Sequence, residues 1–166
     1  MLEQTTTSRL KLAFLSHGTL EARDLDATRK FYEEFLGLQV VRSSPQSITI
    51  KLGGDNVIVV VHNPKKRGEM PLLNHNGLDV PTREDVDRCY AIVSAEKEQW
   101  GIKKVTRPID QHGTRSFYFC DLDDNWWEIL VNPPGGYSWQ FSKGGDLENW
   151  GSSDVNPNAF TKQTTR

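Results

Sequence analysis

His17, His75 and Glu128 are the residues whose types could do chemistry together in this chain. Two neutral imidazoles and one carboxylate, with other coordination positions left open, form the donor set that suits a non-haem divalent metal, Fe(II) above all. A lone histidine such as His17 is ordinarily an exposed or satisfied side chain, but His75 recurs at the matching place in a second half of the sequence. Glu128 follows Trp126 and Trp127 and precedes the apolar Ile129, Leu130 and Val131. A carboxylate in such a run is costly unless something compensates its charge, and a metal would do so.

Residues so far apart meet only if the elements around them bring them together. The segment from Leu15 to Ala22 aligns with the segment from Leu73 to Val80, each a strand with His near its start. In the first half, Asp24 or Asp26 is placed to cap a helix carrying Ala27, Phe31 and Phe35 on one stripe, with Gly37 as its stop. In the second, Thr82 is placed to cap a helix with Val86, Cys89, Tyr90 and Val93 inward, ending at Gly101. Strand signals follow each helix in the same order: Leu38 to Val41, Ser47 to Leu52 and Val57 to Val61, then Ile102 to Val105, Ser116 to Cys120 and Trp126 to Val131. Each half therefore reads βαβββ. The expected fold class is α+β, two such modules at 11–63 and 71–133 forming one curved mixed sheet, a half-barrel around a metal site, within a domain at 11–135.

Bulk properties set limits. The chain has 166 residues, 36% of them hydrophobic, which is enough for one real core. No apolar run approaches the roughly 20 residues needed to cross a membrane, and no signal or targeting segment stands out. A formal net charge of −2 without a basic stripe argues against nucleic-acid binding. Lys65-Lys66-Arg67 reads as a solvated loop between the modules, while Cys89 and Cys120 fall at core positions and point to a reduced, cytoplasmic setting. Residues 1–10 read as a flexible polar end. The extension at 136–166 carries Tyr137, Trp139, Phe141, Trp150 and Phe160, more aromatics than a disordered tail usually holds, so 137–150 is expected to fold back over the domain or onto a partner.

The repeat, the paired histidines and the phrase from Phe117 to Glu128, FYFCDLDDNWWE, resemble the vicinal oxygen chelate superfamily of glyoxalases, extradiol ring-cleaving dioxygenases, fosfomycin-resistance enzymes and methylmalonyl-CoA epimerases. Leu122 stands where the family motif has Pro and Asp124 where it has Gly. The resemblance implies that His17, His75 and Glu128 hold Fe(II), with Mn(II) or another divalent metal as the alternative, and that the protein is a homodimer. Glyoxalases of the superfamily carry a carboxylate ligand at the place Val59 occupies, so Val59 leaves that position open to a substrate and dioxygen. Tyr118 lies at the spacing that extradiol enzymes use for a tyrosine bonded to a substrate oxygen, and His112 lies in a His-Gly loop like those that supply them with an acid-base histidine.

Around these, Trp126 shares the face of Glu128 by the period of two along a strand and offers an apolar wall. His62, at the end of a strand, is a second candidate for proton transfer, and Arg115 is a candidate for a substrate carboxylate. The expected function is an Fe(II)-dependent extradiol dioxygenase acting on a catechol-type aromatic diol and O2. The competing readings are a fosfomycin-type transferase, disfavoured by the lack of any arginine between Ile129 and Thr165; a glyoxalase-like lyase; an epimerase, for which no extra carboxylate can be placed on an inner strand face; and a ligand-sequestering resistance protein.

Overall fold

The computed structural model describes Arg9, residues 14–111 and residues 114–142. The readings of His112, of the other residues in 1–10, and of Trp150 and Phe160 lie outside the described residues. Two compact units divide the chain: Met1–Glu69 with Leu122–Asn125, and Met70–Asp121 with Trp126–Arg166.

The first unit carries β1 (His17–Ala22), α1 (Leu25–Lys30) continuing as a π-helical turn (Phe31–Phe35), β2 (Gln39–Ser44), β3 (Ser47–Lys51) and β4 (Val57–His62). Its sheet runs β1-β4-β3-β2, with β1 parallel to β4 and the other pairs antiparallel. Asp24 starts α1, its carboxylate accepting the amides of Asp26 and Ala27 at 2.9 and 3.1 Å. The buried stripe differs from the one expected: Leu25, Thr28, Phe31 and Tyr32 face inward and Ala27 is exposed. The reason is polar, because the Thr28 hydroxyl is drawn inside to donate to Asp123 Oδ2 at 2.5 Å. Leu20, Ile48, Ile50 and Val60 complete this core.

Leu122–Asn125 belongs to the same unit and is tied to it by polar contacts. The Arg23 amide donates to Asp123 Oδ1 at 2.8 Å, and the Arg23 guanidinium pairs with Asp124. Lys66 Nζ donates to Asn125 Oδ1 at 2.6 Å, and Asn125 Nδ2 donates to the Glu21 carbonyl at 3.1 Å. Lys66 is thus anchored rather than simply solvated, a correction to the reading of its basic cluster. Asp124 has φ +65°, the conformation that glycine adopts freely. Aspartate tolerates the left-handed region, so this residue can hold a conformation usually left to glycine.

The second unit carries a 3₁₀ turn (Leu72–Asn74), β5 (Asn76–Val80), α2 (Arg83–Glu96), β6 (Lys104–Val105), β7 (Ile109–Gln111), β8 (Thr114–Cys120), β9 (Trp126–Val131), a 3₁₀ turn (Gly136–Ser138) and the short α3 (Trp139–Ser142). Its order, β5-β9-β8-β6 with β7 also on β8, repeats that of the first sheet. The molecule is α+β with mixed sheets, and hydrogen bonding joins the strands within each module as one sheet apiece. Thr82 caps α2 by accepting the Asp85 amide at 3.1 Å. Phe117, Phe119 and Trp127 are buried on one side of this sheet, where Tyr90 of α2 meets Phe117 edge-on at 5.5 Å. Tyr118, Cys120 and Trp126 cluster on the other. Cys89 and Cys120 are not joined in a disulfide. No described helix is long and apolar enough to cross a membrane.

The turn at Asp124 can be tested directly. Asp124→Gly relieves the left-handed strain as it removes the Arg23 pair, and unfolding in urea should stay within about 0.5 kcal/mol of wild type. Asp124→Ala loses the pair and keeps the strain, and should cost about 1–2 kcal/mol.

Candidate metal centre

The 3₁₀ turn before β5, β5 itself, β8 and β9 together place the polar residues of the second unit on one sheet face. β9 pairs with β5 in the register Gly77↔Glu128 and with β8 in the register Tyr118↔Glu128. Side chains in register share a face, so Trp126, Glu128 and Leu130 point the same way as Ser116, Tyr118 and Cys120. Gly77 leaves this face open beside Glu128, where a Cβ would stand 3.3 Å from Leu130 Cδ2.

His75 ends the 3₁₀ turn just before β5. Its Nδ1 lies 2.7 Å from the Leu72 carbonyl oxygen. A carbonyl only accepts, so Nδ1 carries the hydrogen, and a neutral ring presents the lone pair of Nε2. That Nε2 lies 3.3 Å from Glu128 Oε2. Two acceptors facing each other across this gap require a cation between them: a proton, or a metal ion that replaces it. Donor atoms in adjacent positions on one first-row divalent ion, with bonds of roughly 2.0–2.2 Å, stand about 3 Å apart. The pair therefore fits a metal, with a ring orientation already fixed by the Leu72 carbonyl.

Glu128 is 4% exposed. Burial alone would raise its pKa, but hydrogen bonds from His75, Ser116 and Tyr118 outweigh it and hold the carboxyl below the ordinary range. The hydrogen bond to Glu128 likewise raises His75, against a smaller opposing effect of burial. Tyr118 is pushed well above the ordinary phenol range by burial and by Glu128. Its oxygen accepts from Gln111 Nε2 at 2.7 Å, so its own proton is directed to Glu128. The His75 and Tyr118 rings meet edge-on at 5.0 Å.

The remaining site residues are distributed as follows. His17 opens β1 in the first unit, is exposed, and shares a hydrogen bond with the Ser16 hydroxyl through Nδ1 at 2.7 Å. Thr19, two residues after it, pairs with Val59, as Gly77, two after His75, pairs with Glu128. Val59 is thus the register equivalent of Glu128. His62 Nε2 donates to the Arg23 carbonyl at 3.1 Å, and its Nδ1 lies 3.4 Å from Gln46 Oε1. Arg115 is held by Asp87 at 2.7 Å and Asp110 at 3.1 Å. Among the described residues no group of three or more His, Cys, Asp and Glu side chains converges as a metal cluster.

Three contributors escaped the sequence reading. Gln111 lies on β7, too short to announce itself by alternation. Ser116 looked like an ordinary strand residue. Asp79 lies two residues beyond Gly77 on β5, an exposed carboxylate on the same side of the sheet as Glu128; Asn132 Nδ2 donates to its Oδ1 at 2.9 Å. Its signal was the period of two, counted onward from His75.

The signs of the shifts give a test on metal-free protein. The Glu128 contribution to stability is present above pH about 4.5 and is lost as pH falls through its depressed folded value. The His75 contribution is full below pH about 6.5 and is lost as pH rises through its raised folded value. Thermal melts in the presence of a chelator should thus show the wild-type midpoint declining above neutrality. Glu128→Gln should flatten that decline, and an unchanged profile would contradict the pairing.

The model of the glyoxalase/bleomycin resistance protein/dioxygenase superfamily matches residues 15–129. The chain is similar in structure to fosfomycin resistance protein FosX from Mesorhizobium loti, at 24% identity and TM-score 0.55, covering 74% of this chain and 95% of that one. A lactoylglutathione lyase from Agrobacterium tumefaciens is similar at 22% identity and TM-score 0.54, covering 76% and 99%. A glyoxalase/bleomycin resistance protein/dioxygenase from Nocardioides is similar at 20% and 0.56, covering 86% and 93%. At these identities the likeness to solved structures concerns the fold. With more than half of its length matched by the family model and its two modules strung in the same strand order, the chain belongs to the glyoxalase/bleomycin resistance protein/dioxygenase superfamily.

Proposed function

We propose that the protein is a metal-dependent extradiol dioxygenase that opens the ring of a catechol-type diol with O2. The observation that carries this reading is the facing pair His75 Nε2 and Glu128 Oε2, 3.3 Å apart, combined with Val59 at the register equivalent of Glu128. His17 completes the ligand set in this proposal, and the homodimer implied by the resemblance is part of it. A two-histidine, one-carboxylate set without a further protein ligand leaves room for a chelating diol and a gas molecule.

A bound Fe(II) ion would supply a template for both reactants and a path for electrons between them. The protein's part is to hold that arrangement. The Leu72 carbonyl fixes the His75 ring, while Tyr118 and Ser116 hold the Glu128 carboxylate as an anion with a set orientation. Trp126, packed with Tyr118 and Cys120 and flanked by Met70 and Leu72, gives the face an apolar surface suited to a flat ring.

A second reading is favoured by Asp79. A carboxylate on the face of Glu128 is what a metal-dependent epimerase or isomerase needs as its base, and FosX and a lactoylglutathione lyase are among the proteins of similar fold. The two readings differ in their need for dioxygen. Protein purified without oxygen, loaded with Fe(II) and mixed with a panel of catechols should consume one O2 per diol and give the yellow, ring-opened product. Full metal loading with no oxygen uptake on any diol would move the assignment to the proton-transfer class.

A further inference from the structure

The segment that leads into β5 is anchored at alternate residues. Met70 and Leu72 pack against the cluster of Tyr118, Cys120 and Trp126, while Pro71, Leu73 and Asn74 are exposed, Leu73 at 76%. Pro71 opens the 3₁₀ turn with φ −57° and ψ 136°, and its ring fixes that φ. Its carbonyl accepts the Asn74 amide at 2.8 Å, which closes the turn. The Leu72 carbonyl accepts twice from His75, from the backbone amide at 3.2 Å and from Nδ1 at 2.7 Å.

One residue therefore joins two surfaces. The side chain of Leu72 is seated on the aromatic face, and its carbonyl holds both the backbone and the ring of His75. On the far side of that ring, Nε2 stands 3.3 Å from Glu128 Oε2, and the ring edge meets Tyr118 at 5.0 Å. A ligand ring serves a metal only while its lone pair is held within roughly 10–20° of the bond direction. The hydrogen bond at Nδ1 supplies that aim only as well as the carbonyl is itself held. Because Leu73 and Asn74 are turned outward, the packing of Leu72 is what ties this turn to the sheet.

We propose that Leu72 is a positioning residue of the metal centre: the seat of its side chain on Tyr118, Cys120 and Trp126 sets the place of its carbonyl and, through it, the aim of His75 Nε2. This rests on the metal-dependent reading above for the role of His75 as a ligand. Leu73 is the same side chain one place further along the same turn, yet it faces outward and has no such part. The two neighbouring leucines thus separate the effect of packing from that of local propensity.

Two readouts test it. In metal-free protein with the His75 ring protonated, nuclear magnetic resonance follows the exchange of the Nδ1 hydrogen with water, and Mn(II) affinity is measured separately by electron paramagnetic resonance. Leu72→Ala should speed that exchange about 10-fold and weaken Mn(II) binding about 10-fold. Leu72→Met, of similar volume, should keep both within about 2-fold of wild type. Leu73→Ala should match wild type in both. Val93→Ala, which empties part of the core under α2, should lower the melting temperature and leave both readouts unchanged. Should Leu72→Ala fail to fold, Leu72→Val is measured in its place, with changes of the same sign. Wild-type values in either readout for the Leu72 truncation, or equal losses in Leu73→Ala or Val93→Ala, overturn the proposal. Wild type that takes up no Mn(II) sinks the metal reading alone, and the exchange rates still decide whether Leu72 holds the ring.

Discussion

A buried carboxylate that faces the lone-pair nitrogen of an imidazole is the constraint on which this site turns. Glu128 cannot be an isolated anion inside a sheet without a cost of several kcal/mol. Its neighbours Ser116 and Tyr118 donate to it, and His75 faces it from 3.3 Å. Because Leu72 claims the Nδ1 hydrogen, His75 Nε2 faces Glu128 either with a second proton or with its lone pair free for a metal. The same geometry makes an ion pair when the ring is protonated and, in the proposed function, would offer two ligands to a metal ion. Proton and metal would then compete for one gap.

The register of the sheets explains how the chain builds such a gap once. Both modules pair their first strand in parallel with their last, and both offer a residue two positions beyond a histidine to that last strand. In the second module the partner is Glu128, and Gly77 opposite it keeps the face clear. In the first module the partner is Val59, which has no donor atom. The two modules share one frame, and at equivalent register positions one offers a valine and the other a glutamate.

Much of this was legible in the residues. The alignment of the two histidines, the caps at Asp24 and Thr82 and the alternation of Trp126, Glu128 and Leu130 are local patterns, and local patterns report backbone geometry well. Long-range polar pairing is another matter. The inward turn of Thr28 depends on Asp123, and the anchoring of Lys66 depends on Asn125. Gln111 gained its role from Tyr118 across a hairpin. In each case the sequence shows a polar residue and only the fold shows which partner takes its hydrogen bond. The side of the sheet on which Asp79 lies follows from a simple count along β5.

The most direct measurement is the stoichiometry and affinity of Mn(II) or Fe(II) binding to protein prepared without oxygen, for wild type and for His17→Ala, His75→Ala and Glu128→Ala. Wild type should bind one ion per chain, and each substitution should lower the affinity by at least about 10-fold. Tight binding that survives the loss of both His75 and Glu128, or wild-type protein that takes up no divalent ion at all, would contradict it.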